Sequence, residues 1–319
     1  MRVISLDFGE NDLRVLAALV EDASRPEREL AASAGVSRST FRLKKHGLEE
    51  AGAIRGYLPY VASRPFGTSN GLLLGRFASS SAKEWGRGME SLASCKPKYL
   101  ARTRGEWDVL LVFPFRHGIE AAQRWRSFTA RFPFSGADFN LCGRVLQPER
   151  LPFLPKGEPE FKHTVRRELS KEDVRLLEDL ADFPTDSIVA RVKRLKGSGE
   201  AWRQRLAKLR ADGILRGPCA WPDVRRLGYF RVHYLAAIRP YTHELEVRLS
   251  ELLKDIPEVS YAEALTGAYS LRFSLLVKNP DELFGCLARL DGFFRERCTA
   301  RALLWEEYEA LRRSVPTFG

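Results

Sequence analysis

The chain says the same thing twice, 161 residues apart. Asp12-Leu-Arg-Val-Leu16 returns as Asp173-Val-Arg-Leu-Leu177, Ser37 and Arg42 return as Ser198 and Arg203, and Gly52-Ala-Ile-Arg-Gly56 returns as Gly213-Ile-Leu-Arg-Gly217. A register kept without a gap through that whole stretch marks a duplicated folding unit. The fold must therefore be one that two copies of a module can build. At 319 residues the chain exceeds one ordinary core, and the repeat supplies the natural cut.

Within the first copy, Leu13, Leu16, Ala17 and Val20 fall at helical spacing over 10–21, which predicts an amphipathic helix. A short helix over 25–34 and the turn Gly35-Val36 follow. Ser37 then stands at an N-cap position for a third helix ending at Gly52. The β-prone run 53–58 follows as a wing. Strands over 71–77, 98–103, 107–115 and 137–146, with helices over 82–93 and 119–132, give the order βαββαβ, a ferredoxin-like plan. Residues 147–160 hold four prolines and read as a linker. The programme then repeats, with a final helix expected over 305–313. The expected fold class is α+β: a duplicated winged helix-turn-helix, each followed by a ferredoxin-like βαββαβ domain. The divisions are 1–62, 63–147, a linker 148–168, 169–224, and 225–319 with its C-terminal helix.

Net charge sharpens this reading. Of an excess of +11, residues 25–56 carry seven Lys/Arg against four Asp/Glu, and residues 186–217 carry nine against three. Basic charge gathered on the helix-turn-helix segments predicts a polyanionic partner, double-stranded DNA. Five scattered cysteines without a Cys-x-x-Cys pair, and five dispersed histidines, signal no disulfide framework and no metal site. No apolar run is long enough to span a bilayer, and an acid as early as Asp7 speaks against a secretory leader, so a cytoplasmic protein is expected.

The motif Leu30-Ala-Ala-Ser-Ala-Gly-Val-Ser-Arg-Ser-Thr-Phe-Arg42, followed by Leu48-Glu-Glu-Ala-Gly-Ala-Ile-Arg-Gly56, resembles the Lrp/AsnC family of transcription regulators, and does so in both copies. The resemblance implies a DNA-binding regulator without cofactor and without enzymatic activity, responsive to a small-molecule effector such as an amino acid. It also implies an intramolecular pseudo-dimer and a homodimer of such chains. The effector turn of that family resembles Gly105-Glu106-Trp-Asp108. The second copy has Gly267 and Ser270 there and lacks both acids.

For DNA, the N-terminal part of the third helix approaches base edges. Ser37, Arg38, Ser39, Thr40 and Arg42 are assigned there, with Lys44 and Lys45 on the flanking backbone. Arg191, Lys193, Arg194, Lys196, Ser198, Arg203, Arg205 and Lys208 give the second head a more electrostatic character, and Arg55 and Arg216 occupy matching wing positions. Trp85, Trp107, Trp125 and Tyr269 are read as core or interface.

A competing class is kept open. Siroheme decarboxylases resemble the same architecture, built from two related subunits that a fused repeat could imitate. Such an enzyme would place histidine near the sensing strands, yet 99–113 and 261–277 contain none, and His233 is read as structural. A non-sensing architectural DNA-binding protein is the third reading.

Overall fold

The computed structural model describes residues 8–61, 67–78, 81–132, 134–152 and 169–312, so the linker segment 153–168 lies outside the described residues. The chain divides into two compact units, one gathering both helix-turn-helix copies, the other both sheet-forming copies.

In the first unit, α1 (Glu10–Asp22), α2 (Glu27–Ser33) and α3 (Arg38–Glu50) form the first tri-helical head, and α6 (Lys171–Asp182), α7 (Ile188–Leu195) and α8 (Gly199–Ala211) the second. The repeat is visible in the cores: Leu16, Leu19, Phe41 and Leu48 are buried, as are Leu177, Leu180, Trp202 and Leu209. Each such side chain contributes about 1.5–3 kcal/mol of burial. Helices α3 and α8 start on serines whose hydroxyls accept the amides of Thr40 and Ala201, satisfying donors the helix leaves open.

The wings pair with each other. Strand β1 (Ile54–Val61) lies antiparallel to β6 (Leu215–Pro222), Ile54 facing Pro222 and Val61 facing Leu215. Ala220 accordingly packs in the first head's core and Val61 in the second's. The Ala23 amide donates to the Pro218 carbonyl at 2.8 Å and the Asp223 amide to the Ala53 carbonyl at 2.8 Å.

In the second unit eight strands close into a barrel. Strands β2 (Ser69–Phe77), β3 (Tyr99–Gly105), β4 (Val109–Phe115) and β5 (Phe134–Gln147) come from the first copy, and β7 (Phe230–Ile238), β8 (Val259–Thr266), β9 (Leu271–Val277) and β10 (Cys298–Arg312) from the second. Their order is β10-β3-β4-β2-β5-β8-β9-β7, back to β10. Each half keeps the ferredoxin-like order, and the two long strands join them: β5 pairs with β2 and then β8, β10 with β7 and then β3. Helices α4 (Ala82–Ser94) and α5 (Gly118–Arg131) cover the first half, α9 (His243–Lys254) and α10 (Pro280–Phe294) the second. Period-two alternation sends Val232, Tyr234 and Ala236 outward to the helices and leaves Leu235 and Ala237 inside the barrel.

The C-terminal helix expected over 305–313 is corrected to strand. Residues 298–312 are β10, because pairing on both edges with β3 and β7 satisfies a backbone whose Glu- and Leu-rich sequence, taken alone, favours helix. No helix among the described residues is long and apolar enough to cross a membrane.

Candidate functional site

The barrel interior is apolar at one level, where Leu72, Leu74, Leu110, Val112, Leu235 and Leu304 meet, and densely polar at another. Alternation along β7 points Arg231 and His233 inward, both buried. Strand β9 adds Arg272 and Ser274, β8 adds Glu263, and β10 adds Glu306, whose side chain is 5% exposed. His233 Nε2 lies 3.1 Å from Glu306 Oε2, and the Tyr99 hydroxyl donates to the same oxygen. Arg231 donates to Ser274 Oγ at 3.1 Å and reaches Glu149 Oε1 from both terminal nitrogens at 3.4 Å. Beside them Arg272 Nη2 meets Glu263 Oε1 at 2.7 Å, and Tyr261 donates to Glu263 Oε2 at 2.9 Å.

Electrostatics sets the roles. Burial pushes the Glu306 carboxyl upward, but the hydrogen bond from His233 and the Arg231 charge outweigh it and hold it down at about 2. Burial lowers the His233 pKa below its ordinary 6.5, against the pull of Glu306. A neutral imidazole facing an ionised carboxylate must donate from Nε2. Nδ1 is then a bare acceptor, and it is buried without a hydrogen-bond partner among the described residues. Burial also raises the Tyr261 hydroxyl and the Cys142 thiol, so both stay protonated.

The two copies differ sharply here. Strand pairing sets Leu72 against Val112 and His233 against Ser274, then Leu74 against Leu110 and Leu235 against Arg272. By the same register Ala101 pairs with Leu110 where Glu263 pairs with Arg272. Positions that carry His233, Ser274, Arg272 and Glu263 in the second copy are thus Leu72, Val112, Leu110 and Ala101 in the first. Tyr99 and Cys142 enter from the first copy's strands, Cys142 Sγ lying 3.6 Å from Glu263 Oε1, and Glu149 reaches Arg231 from the segment after β5. Sequence reading missed this cluster because it sought histidine on the two sensing hairpins. The available signal was charge at inward, period-two positions of one repeat against apolar residues in the other.

The residues assigned to DNA contact are engaged nearer home. Ser37 Oγ lies 2.9 Å from Ser39 Oγ and 2.8 Å from Thr40 Oγ1. Arg42 and Arg38 converge on Glu27, at 2.8 and 3.7 Å, while remaining 68% and 61% exposed. The hydrogen bond from Arg42 lowers the Glu27 pKa. Lys44 meets Asp12 at 3.1 Å, Lys45 meets Glu49 at 3.7 Å, and Arg55 lies 3.6 Å from Asp223. In the second head Arg194 bonds Asp179 and Asp186, Arg205 bonds Asp173, and Arg203 lies 3.4 Å from Glu200. Ser198 caps α8, the Lys196 carbonyl accepts from Trp202, Arg216 lies over the Tyr60 ring, and Lys208 stands in the last turn of α8. Arg191 is corrected: it is buried against Asp179 and offers nothing to a duplex. A helix-turn-helix dimer places its recognition helices about 34–36 Å apart, whereas Lys45 of α3 and Arg203 of α8 share the lining of one cavity.

The effector turns are brought together across the barrel, Trp107 Nε1 donating to the Tyr269 hydroxyl at 3.2 Å. Their polar groups serve the fold. The Glu106 carbonyl accepts from Arg76, Asp108 accepts the Phe77 amide at 2.9 Å, and Ser270 Oγ bonds the Ile238 backbone. Gly105 takes a left-handed φ of +137° against the Leu303 carbonyl, and Gly267 abuts Asn140. Among the described residues no group of three or more His, Cys, Asp or Glu could hold a metal ion.

No protein-family model and no curated protein sequence matches the chain. Among solved structures the chain is similar end to end to the siroheme decarboxylase NirDL, with TM-score 0.60 and 17% identity over 98% of this chain and 95% of that one. The same enzyme in co-complex with an iron-uroporphyrin III analogue gives TM-score 0.59 and 18% identity over the same shares. An AsnC family transcriptional regulator from Agrobacterium tumefaciens overlays 51% of this chain and 97% of its own, at 18% identity and TM-score 0.38. At these identities the likeness establishes the duplicated helix-turn-helix and ferredoxin-like fold. The full-length counterpart is an enzyme, and the expectation that this chain is not one is corrected on that ground.

Proposed function

We propose that this chain is an enzyme of the siroheme-decarboxylase type, releasing carbon dioxide from carboxylate side chains of a tetrapyrrole. The observation that carries the reading is the His233, Glu306, Arg231 and Tyr99 cluster, built into one half of a barrel whose other half is apolar at the matching positions, in a fold that an enzyme of that activity shares from end to end.

The chemistry asks for a cation to orient the substrate carboxylate and a proton donor for the carbon it leaves. Arg231 meets the first need: its contact with Glu149, a residue 32% exposed, is long at 3.4 Å and is the one a substrate carboxylate would replace. Breaking the bond between the carboxyl carbon and its neighbour frees carbon dioxide and leaves the electron pair on the side-chain carbon. The bare Nδ1 of His233 takes up a proton from solvent and delivers it to that carbon, and ionised Glu306 stabilises the transient imidazolium that carries it. Tyr99 and Arg231 keep Glu306 in place and ionised.

The experiment is incubation of the purified chain with siroheme, followed by mass spectrometry of the extracted tetrapyrrole. Stepwise loss of carbon dioxide is expected, and His233→Gln should slow it by about 10²–10⁴-fold, the usual reach of general acid catalysis. Unchanged siroheme from a folded protein that binds it overturns the reading.

A second reading, duplex DNA binding through α3, is favoured by the exposure of Arg38 and Arg42, since surface ion pairs of this kind hold weakly. It expects a steep salt dependence of affinity, flattened by roughly one unit for each of Arg38→Ala and Arg42→Ala. A salt-independent affinity sinks it.

A further inference from the structure

Between the two tri-helical heads lies a cavity of about 460 Å³, inside the range of about 300–1,000 Å³ that small ligands occupy. Its walls come from both copies. Tyr57 of the first head and Ile188 and Leu206 of the second, all partly exposed, give it apolar surface, while Lys45, Arg203 and Arg210 bring cationic ends to it. Arg210 crosses from α8 to Ser24 Oγ at 3.3 Å, and among the described residues no carboxylate lies within ion-pair distance of it. Of the five Lys/Arg on the lining, Arg25, Lys45, Arg191 and Arg203 each meet a carboxylate, Lys45 and Arg203 through exposed pairs of 3.7 and 3.4 Å, which leaves Arg210 as the cation without one among the described residues. An apolar floor under an uncompensated guanidinium complements a molecule with an apolar body and an anionic head.

We propose that this cleft is a binding site for a small amphipathic anion, an aromatic or aliphatic acid whose charged group lies at Arg210 and Arg203 and whose body covers Ile188 and Leu206. The site exists only because the heads are duplicated and held together by their paired wings, so occupancy ties one copy to the other. It is independent of the barrel cluster and of any tetrapyrrole.

The test is a fluorescence titration of the full chain with 1-anilinonaphthalene-8-sulfonate, competition by indole-3-acetate, and a parallel titration with uncharged N-phenyl-1-naphthylamine. We expect saturable binding at one site per chain, displacement by indole-3-acetate, and weaker binding of the uncharged dye. Arg210→Ala and Arg203→Ala, both at exposed positions, should each weaken the sulfonate about tenfold, the size of a charge-assisted hydrogen bond. Leu206→Trp should abolish binding by filling the floor. Non-saturating binding, equal affinity for the uncharged dye, or arginine variants that bind like the parent overturns the proposal. If Leu206→Trp does not fold, the two arginine variants still decide.

Discussion

At Glu306 burial and charge pull in opposite directions, and charge wins, holding the carboxyl at about 2 against its ordinary 4.5. The unfolded chain binds a proton there that the folded chain refuses, so stability is full above pH 4.5 and is lost as pH falls toward about 2. His233 adds a step of the same sign. Its pKa is depressed below 6.5, so the unfolded state gains the proton first and stability begins to fall as pH drops through 6.5. His233→Leu, which installs the first copy's residue, should remove this upper step and shrink the lower one, because Glu306 loses the hydrogen bond that does most to hold its carboxyl down, as read by urea midpoints between pH 8 and 3. A second residue-scale prediction concerns the buried pair Arg191 and Asp179. In the first head the repeat places Leu30 and Ala18 at these positions, also buried. Arg191→Leu alone strands Asp179 with Arg194 only and should cost about 3–5 kcal/mol in denaturant unfolding. The double change Arg191→Leu with Asp179→Ala should recover most of that loss.

Glycines fix how elements approach one another. A Cβ on Gly217 would overlap Ser24 and Asp22, whereas one on Gly105 would overlap the Leu303 backbone carbonyl, at a φ of +137° that side chains rarely adopt. Gly105→Ala should therefore lower the melting temperature more than Gly217→Ala, because side chains can step aside and a paired strand cannot. How far such elements were legible in the sequence follows from the range of the interactions that make them. Helices α3 and α8 could be placed from Ser37 and Ser198 because capping is local. The order of strands in each half could be read from alternation for the same reason. Pairing of β1 with β6 and the strand state of β10 depend on partners more than 150 residues away, beyond any local pattern. The barrel cluster fell between these cases. Arg231, His233, Arg272 and Glu263 alternate visibly, but only the barrel makes that face an interior.

For the molecule as a whole, two copies on one chain should act as two pieces of one body. A protease site introduced within 153–168 and then cut should leave fragments that co-elute on size exclusion and melt together, since β5 pairs with β8 and β10 with β3 across the copies. Either fragment expressed alone would expose an unpaired strand edge and should self-associate. Separation of the cut fragments in native buffer would contradict the barrel topology.

The exchange of β5 and β10 between halves has an evolutionary consequence. Neither twin owns its own perimeter, so either could vary its inward side chains and remain indispensable as masonry for its sibling. Redundancy after such a fusion is forfeited: deleting the quieter repeat would unroof the other and take Tyr99 from its neighbours.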